Sequence, residues 1–273
     1  MSDSDVLNRR PPPPIPVSIL TGFLGAGKTT LLNRLLRDPA MADTLVLINE
    51  FGEIGLDHLL VERAEGDMIL MSSGCLCCTI RGDLVSTLED LLKRRDNNRI
   101  TPFQRVLIET TGLADPAPVL HTIMFHPYLM LRYRLEGVIT LVDAVNGSST
   151  LDAHEESVKQ AAVADRLLLS KTDLVTDESA RAALKKRLQK LNPAAQMMDV
   201  DQASPANLFN TGLYDPTSKT ADVARWLNAE AVEEAEHDHG HHGHDHHHGH
   251  DHHNYDHAHD VNRHDARIRA HCL

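Results

Sequence analysis

Residues 17–30, VSILTGFLGAGKTT, decide the fold of this 273-residue chain. They match the pattern G-x-x-x-x-G-K-[ST]. An apolar run of strand length, Ile15–Leu20, leads into the loop, and leucines at helical spacing follow it in residues 31–36. A strand, a glycine-rich loop and a helix in this order form a phosphate-binding loop, because backbone N–H groups and the positive end of the helix dipole face the phosphates. The sequence therefore predicts a nucleotide site.

Two side chains of this loop have predicted roles of their own. Lys28 should reach the β- and γ-phosphates, and the Thr29 hydroxyl should bind Mg²⁺. The residues predicted to contact the nucleotide here are Gly22, Gly25, Ala26, Gly27, Lys28, Thr29 and Thr30.

A second catalytic segment is predicted at Glu109-Thr110-Thr111-Gly112, after the apolar run Val106–Ile108. An acid at the end of a buried strand, three residues before a glycine, is typical of a Walker-B carboxylate followed by a γ-phosphate sensor. Glu109 is expected to hold Mg²⁺ directly or through water, and the Gly112 amide to contact the γ-phosphate. With Lys28 and Thr29, these are the predicted catalytic residues.

Base specificity is predicted from Ser170-Lys171-Thr172-Asp173, which follows the apolar run Leu167–Leu169. The segment resembles the N-K-x-D signature of GTPases, with Ser in place of Asn. The Asp173 carboxylate can accept the N1–H and the 2-amino group of guanine, whereas adenine lacks these donors and would leave a buried carboxylate unpaired. The Lys171 stem can cover the base. Because only guanine offers both donors to Asp173, GTP is favoured over ATP.

Three of the four cysteines are clustered at Cys75, Cys77 and Cys78, between the two catalytic segments. Three thiolates within four residues can share one soft or borderline cation such as Zn²⁺ or Co²⁺, and Zn²⁺ prefers four ligands. The fourth ligand stays open among Glu50, Glu53, a histidine, water and a partner protein. A structural zinc site and a redox pair are the alternatives.

Acidic residues also follow the second apolar run, in residues 49–57, NEFGEIGLD. P-loop GTPases carry their first switch at this point of the chain. Glu50, Glu53 and Asp57 are therefore candidate ligands for Mg²⁺ or the second metal, and a solvated loop face is the equally weighted alternative.

Apolar runs of strand length alternate with helical patterns from residue 15 onward. The runs are Ile15–Leu20, Leu45–Ile48, Met68–Met71, Val106–Ile108, Val138–Val142 and Leu167–Leu169. Such alternation indicates a mostly parallel sheet covered by helices on both faces, with ligands at the carboxyl ends of the strands. The predicted fold class is an α/β P-loop NTPase.

Composition excludes several other classes of protein. The chain is 41% hydrophobic and only 4% aromatic, which argues against a stacking platform for single-stranded nucleic acid. Eight of its 39 acidic residues lie in 233–260, a segment without Lys or Arg. The rest of the chain has 27 basic and 31 acidic residues, so it carries no excess of positive charge for binding nucleic acid. With no apolar run of membrane-spanning length and no secretory signal, we expect a cytoplasmic protein that binds neither nucleic acid nor membrane.

Four segments are expected along the chain. Residues 1–14 end in four prolines and form a flexible lead-in, residues 15–228 form the GTPase domain, and residues 229–263 form a linker rich in His, Asp and Glu. Residues 264–273 are expected to be the first strand of a missing C-terminal domain. Of the 19 histidines, 13 lie in 233–260, where they can load or buffer metal or simply belong to a solvated linker.

The order of these segments resembles the CobW-type GTPases, the branch related to the HypB and UreG nickel-insertion GTPases. The matching blocks are TGFLGAGKTTLLN, NEFGEIGLD, GCLCC, ETTGLADP and SKTDL. The resemblance implies a P-loop GTPase domain and GTP hydrolysis. It also implies a CxCC metal site that binds best with Mg–GTP, and release of the metal to a client on hydrolysis.

The leading hypothesis is a Mg²⁺-dependent GTPase that loads Zn²⁺ or Co²⁺ at the three cysteines and delivers it to a client apo-metalloprotein. The expected partners are GTP, a transition-metal ion and that client, with a nucleotide-dependent homodimer as a further hypothesis. The main alternative is a metal buffer that uses the histidine-rich segment, with nucleotide only regulatory. A small-molecule kinase is disfavoured by the Ser170–Asp173 segment and the thiols.

Overall fold

The fold is described by a computed structural model over residues 12–50, 68–72, 80–209, 212–220 and 223. Within these residues, seven strands form one sheet: β1 (Ile15–Gly22), β2 (Thr44–Glu50), β3 (Met68–Ser72), β4 (Arg105–Glu109), β5 (Tyr133–Asp143), β6 (Arg166–Ser170) and β7 (Gln196–Asp199). The described helices are α1 (Lys28–Leu36), α2 (Ile80–Asp96), α3 (Ala117–Phe125), α4 (Leu129–Arg132), α5 (Gly147–Ala153), α6 (Glu155–Val163), α7 (Glu178–Leu191) and α8 (Pro205–Leu208). Short 3₁₀ turns lie at Pro39–Met41, Thr172–Leu174, Val200–Gln202 and Pro216–Ser218.

The sheet is parallel throughout the described residues, in the order β3-β2-β4-β1-β5-β6-β7. Its strands are apolar at consecutive positions because helices cover both faces. In β1, Ile19 packs into one core cluster with α2 and α3, and the next residue, Leu20, packs into a second cluster with α1. This arrangement confirms the predicted α/β P-loop fold with a parallel sheet flanked by helices.

The strand order changes direction at β1, which pairs with β4 on one side and β5 on the other. In open parallel sheets, ligands bind in the crevice at such a point, beyond the carboxyl ends of the strands. The segments that follow β1, β4, β5 and β6 therefore meet at one edge, and three of them were predicted as functional segments.

The proposed boundaries of the lead-in, linker and C-terminal segments lie mostly outside the described residues. Within the described part of the chain, no helix combines the length and the apolar character needed to cross a bilayer.

Residues 212–220 are anchored at the amino ends of β5 and β6. The Lys219 ammonium is almost fully buried and donates to the carbonyl oxygen of Ala164 at 2.8 Å and to Asp165 Oδ1 at 2.7 Å. Asp165 Oδ2 in turn accepts from the Val138 amide at 2.9 Å. One lysine thus joins residues 212–220 to the turn before β6 and, through Asp165, to β5.

Replacing this lysine by methionine should destabilise the fold. Lys219→Met keeps the length of the side chain but leaves the Asp165 carboxylate and the Ala164 carbonyl without their cation, so the free energy of unfolding should fall by about 2 kcal/mol. Urea unfolding followed by circular dichroism measures this loss. Lys186→Met, on the exposed face of α7, is the matched control and should unfold at the wild-type urea concentration. Equal midpoints for both variants would contradict the anchoring role.

Candidate nucleotide-binding site

The loop between β1 and α1 has a backbone that only glycine adopts easily. Gly22, Gly25 and Gly27 have φ angles of +140°, +70° and +94°. At Gly22 a Cβ would also lie 2.5 Å from the carbonyl oxygen of Leu141, closer than any real Cβ contact. Gly27 is the N-cap of α1, and without a side chain it leaves the first amides of the helix accessible to an anion. The three glycines therefore shape a loop that can wrap phosphate.

Lys28, the first residue of α1, folds back over this loop. Its ammonium donates to the carbonyl oxygens of Gly22 at 2.9 Å and Phe23 at 3.3 Å, and the residue is 9% exposed. The charge therefore lies at the loop itself, within reach of a phosphate that the loop would hold.

Thr29 and Glu109 meet across the junction of α1 and β4. The Thr29 hydroxyl donates to Glu109 Oε1 at 3.1 Å, and Glu109 is buried. Mg²⁺ takes oxygen ligands in an octahedron at 2.0–2.1 Å, so neighbouring ligands of one ion lie about 3 Å apart. A hydroxyl and a carboxylate at this separation fit a magnesium ion next to the phosphate loop.

Residues 110–115 follow β4 and are termed the sensing loop. Thr110 begins it, with its hydroxyl 2.8 Å from the Thr21 hydroxyl and its amide donating to the carbonyl oxygen of Leu20 at 3.0 Å. At Gly112 a Cβ would lie 2.6 Å from the amide nitrogen of Leu24. The sensing loop therefore lies directly against the phosphate-binding loop, and only glycine allows this approach.

The segment predicted to bind the base follows β6. Ser170 is buried, Lys171 turns the chain with φ of +56°, and Asp173 is exposed in the first turn of the 3₁₀ helix Thr172–Leu174. The Lys171 ammonium donates to Asp143 Oδ2, at the end of β5, at 2.8 Å. A cavity of about 260 Å³ separates this pair from residues 23–26 of the phosphate-binding loop.

Asp143 is ionised more readily than an ordinary aspartic acid. Burial acts to raise the pKa of this carboxyl, but hydrogen bonds from Lys171 and from the amides of Val145 and Asn146 outweigh it, so the pKa lies below its usual range. The charged form therefore holds Lys171 in place at neutral pH, and the pair weakens only as the pH falls through that lowered pKa.

The side chains of the predicted transition-metal residues lie outside the part of the chain that the structure describes. Cys75, Cys77, Cys78, Glu53 and Asp57 lie outside the described residues, and of Glu50 only the backbone, at the end of β2, is described. Among the residues that are described, no group of three or more His, Cys, Asp or Glu could hold a metal ion. The CxCC metal site stays a prediction.

Several site residues carry no sequence signal of their own. Asp143 orients Lys171, Thr21 contacts Thr110, and Gln160 of α6 donates to the carbonyl oxygens of Gly112 and Ala114. Each of these contacts joins residues far apart in the chain. The available hint was their position, since Thr21 and Asp143 lie at the carboxyl ends of strands.

The chain is also similar to a known protein family and to named proteins. The family model described as "CobW/HypB/UreG, nucleotide-binding domain" matches residues 16–199. The zinc chaperone YjiA of Escherichia coli is 40% identical over 200 residues, which cover 72% of this chain and 62% of that protein. The zinc-regulated GTPase metalloprotein activator 1 of Schizosaccharomyces pombe is 35% identical over 193 residues, which cover 68% of this chain and 46% of that protein.

A solved structure is similar as well. The crystal structure of the Zn(II)-bound YjiA GTPase from E. coli superposes with a TM-score of 0.59 at 34% identity, covering 77% of this chain and 66% of that one. The chain thus spans about half to two thirds of the length of these relatives.

Proposed function

This chain belongs to the CobW/HypB/UreG family of nucleotide-binding domains, and on that premise we propose that it is a Mg²⁺-dependent GTPase that carries Zn²⁺ or Co²⁺ to a client metalloprotein. The proposed GTPase activity is supported chiefly by the 3.1 Å contact of Thr29 with Glu109 beside the glycine loop. The proposed delivery of a metal ion is supported by the named zinc chaperones among the relatives and by the three clustered cysteines.

The chemistry of hydrolysis follows from charge placed around the phosphates. On binding GTP, the Lys28 ammonium exchanges the carbonyl oxygens of Gly22 and Phe23 for oxygens of the β- and γ-phosphates. Thr29 and Glu109 would hold Mg²⁺, which supplies positive charge against the charge developing on the transferred phosphoryl group. The Gly112 amide would contact the γ-phosphate, and Asp173 would accept from guanine.

Intrinsic turnover should be slow, below about 1 s⁻¹, as in GTPases that lack an arginine finger. Arg81, three residues after the cysteine cluster, is the candidate that the sequence offers for this role, and a fast rate without metal or client would contradict the prediction.

The cargo is proposed to bind Cys75, Cys77 and Cys78, with a fourth ligand from Glu50, Glu53, a histidine, water or the client. Binding of the γ-phosphate would bring residues 50–57 and Gly112 into contact with the nucleotide and so complete the metal site. Hydrolysis would then undo these contacts and release the ion to the client.

The test is a Zn²⁺ and Co²⁺ competition titration against a chromophoric chelator. Protein lacking residues 233–260 is titrated with and without Mg²⁺ plus a non-hydrolysable GTP analogue, beside the same protein carrying Cys77→Ser. We expect one tight site that requires nucleotide and is lost in Cys77→Ser, because removing one thiolate leaves too few ligands for tight binding. Tight binding that ignores nucleotide would overturn the gating model.

A metal buffer is the second candidate, favoured by the 13 histidines of residues 233–260. Interleaved imidazoles and carboxylates bind several divalent metals in many weak arrangements. The same deletion separates the two functions, because a buffer loses its capacity with residues 233–260 whereas a chaperone keeps its tight site.

A further inference from the structure

Helix α6 and its N-cap contact both loops of the phosphate site. His154, the N-cap, stacks on Phe23 of the phosphate-binding loop with ring centroids 4.5 Å apart. One turn into the helix, Lys159 forms an ion pair with Asp115 of the sensing loop at 2.7 Å. The next residue, Gln160, reaches the same loop. A single helix therefore holds the two loops that would surround the phosphates.

Gln160 commits both of its N–H donors to the sensing loop. Nε2 donates to the carbonyl oxygen of Gly112 at 3.1 Å and to that of Ala114 at 3.0 Å, and the residue is 1% exposed. The opposite orientation of the amide would place Oε1 against two carbonyl oxygens. These contacts therefore determine which end of the Gln160 amide is the nitrogen.

The same side chain has an unsatisfied end. Gln160 Oε1 is buried and has no hydrogen-bond partner within the part of the chain that the structure describes. Buried polar atoms without a partner cost stability and call for an explanation. An apolar side chain would fill the space without that cost, so the contacts to the loop carbonyls are the feature that requires glutamine here.

The position of the sensing loop matters most at Gly112. Its Cα lies so close to the phosphate-binding loop that a Cβ would contact the backbone of Leu24. The Gly112 amide is the group assigned to the γ-phosphate, which GTP has and GDP lacks. The Gly112 amide and the Gly112 carbonyl are joined through the same Cα, so displacement of the carbonyl would also shift the amide and loosen this contact.

We propose that Gln160 is a positioning residue that holds the sensing loop against the phosphate-binding loop, and that through it the site favours GTP over GDP. The inference rests on the proposed GTP site and assigns Gln160 to the end of that site where the two nucleotides differ. Both donors of Gln160 go to the sensing loop, so GDP binding, which uses the base segment and the phosphate-binding loop, should be much less sensitive to this side chain.

The experiment measures the dissociation constants of GDP and GTPγS, each with Mg²⁺, on the full chain. Gln160→Met keeps the length of the side chain and removes both donors, whereas Gln160→Glu keeps its shape and presents only acceptors at neutral pH. In both variants, GTPγS binding should weaken about tenfold and GDP binding less than about threefold, because a lost hydrogen bond to a displaced loop corresponds to about this factor.

Thr140→Val is the matched control, because it loosens α6 at the same residue without touching the sensing loop. The Thr140 hydroxyl donates to the backbone carbonyl oxygen of Gln160 at 2.7 Å, and both groups are buried. This variant should keep the wild-type ratio of GTPγS to GDP affinity even where its unfolding temperature falls.

Three outcomes would overturn the inference. GDP and GTPγS could weaken by the same factor in the Gln160 variants, or Thr140→Val could lower the affinity ratio as much as they do, and Gln160 would then only stabilise α6. Wild-type protein that binds both nucleotides without preference for GTPγS would also exclude the role. Wild-type protein that binds neither nucleotide would instead overturn the proposed function, so the two failures are distinguishable.

Discussion

Lys28→Ala should weaken GTP binding about 100-fold, because it removes a charged donor from a nearly buried phosphate site. The remaining hydrolysis should fall by a further factor of about 10²–10³, since the ammonium also opposes charge that develops only in the transition state. The loop itself should persist, because its shape depends on the glycine backbone at Gly22, Gly25 and Gly27. Isothermal titration with GTPγS and a phosphate-release assay measure the two losses separately.

The control for this prediction is Lys93→Ala. Lys93 lies in the last turn of α2 with 65% of its side chain exposed, where it pairs loosely with Glu89 at 3.9 Å. An exposed pair of this kind contributes little, so GTP binding and hydrolysis should match those of the wild type. If Lys28→Ala binds GTP as tightly as Lys93→Ala does, the phosphates are not held at this loop.

Much of the sheet could be predicted from the sequence because β1, β2, β4, β5 and β6 are mostly buried wherever their side chains are described. All six apolar runs lie within β1 to β6, at the positions the pattern indicated. β7 was missed because Gln196–Asp199 is an edge strand whose four residues are all partly or fully exposed, so it shows no apolar run. α3 shows no helical pattern in the sequence for the opposite reason, since its buried residues lie on several sides and leave no amphipathic stripe.

In the candidate site, residues of local motifs could be predicted from the sequence, whereas contacts between distant residues could not. Lys28, Thr29 and Glu109 could be predicted because each has a fixed place in a strand–loop–helix or strand-end motif. Gln160 and Gly112 are 48 residues apart, and no local spacing relates them. Their contact exists only because α6 packs beside β1 and β5, so it becomes visible once the strand order is known.

Asp173→Asn should exchange guanine for xanthine as the preferred base. The carboxylate can accept both the N1–H and the 2-amino group of guanine, whereas an amide must direct its NH₂ at one of these donors. Xanthine carries a carbonyl oxygen in place of the 2-amino group, so it suits that NH₂. GTP affinity should fall by about 10²–10³ and XTP affinity should rise correspondingly, since a site built around hydrogen bonds rejects a mismatched partner strongly. Competition of GTP and XTP against a fluorescent nucleotide measures the exchange.

Asp177→Asn makes the same chemical change four residues further along and controls for the loss of charge. Asp177 is the N-cap of α7, where its side chain accepts from the amides of Ser179 and Ala180. Asparagine caps helices as well as aspartate does, so the fold should be kept and guanine should remain preferred. The two variants should differ clearly in base preference. Asp173 lies in the turn directly after Lys171, the lysine assigned to the base, whereas Asp177 does not. If both variants keep the preference for GTP, the base is recognised elsewhere and Ser170–Asp173 is only a surface turn.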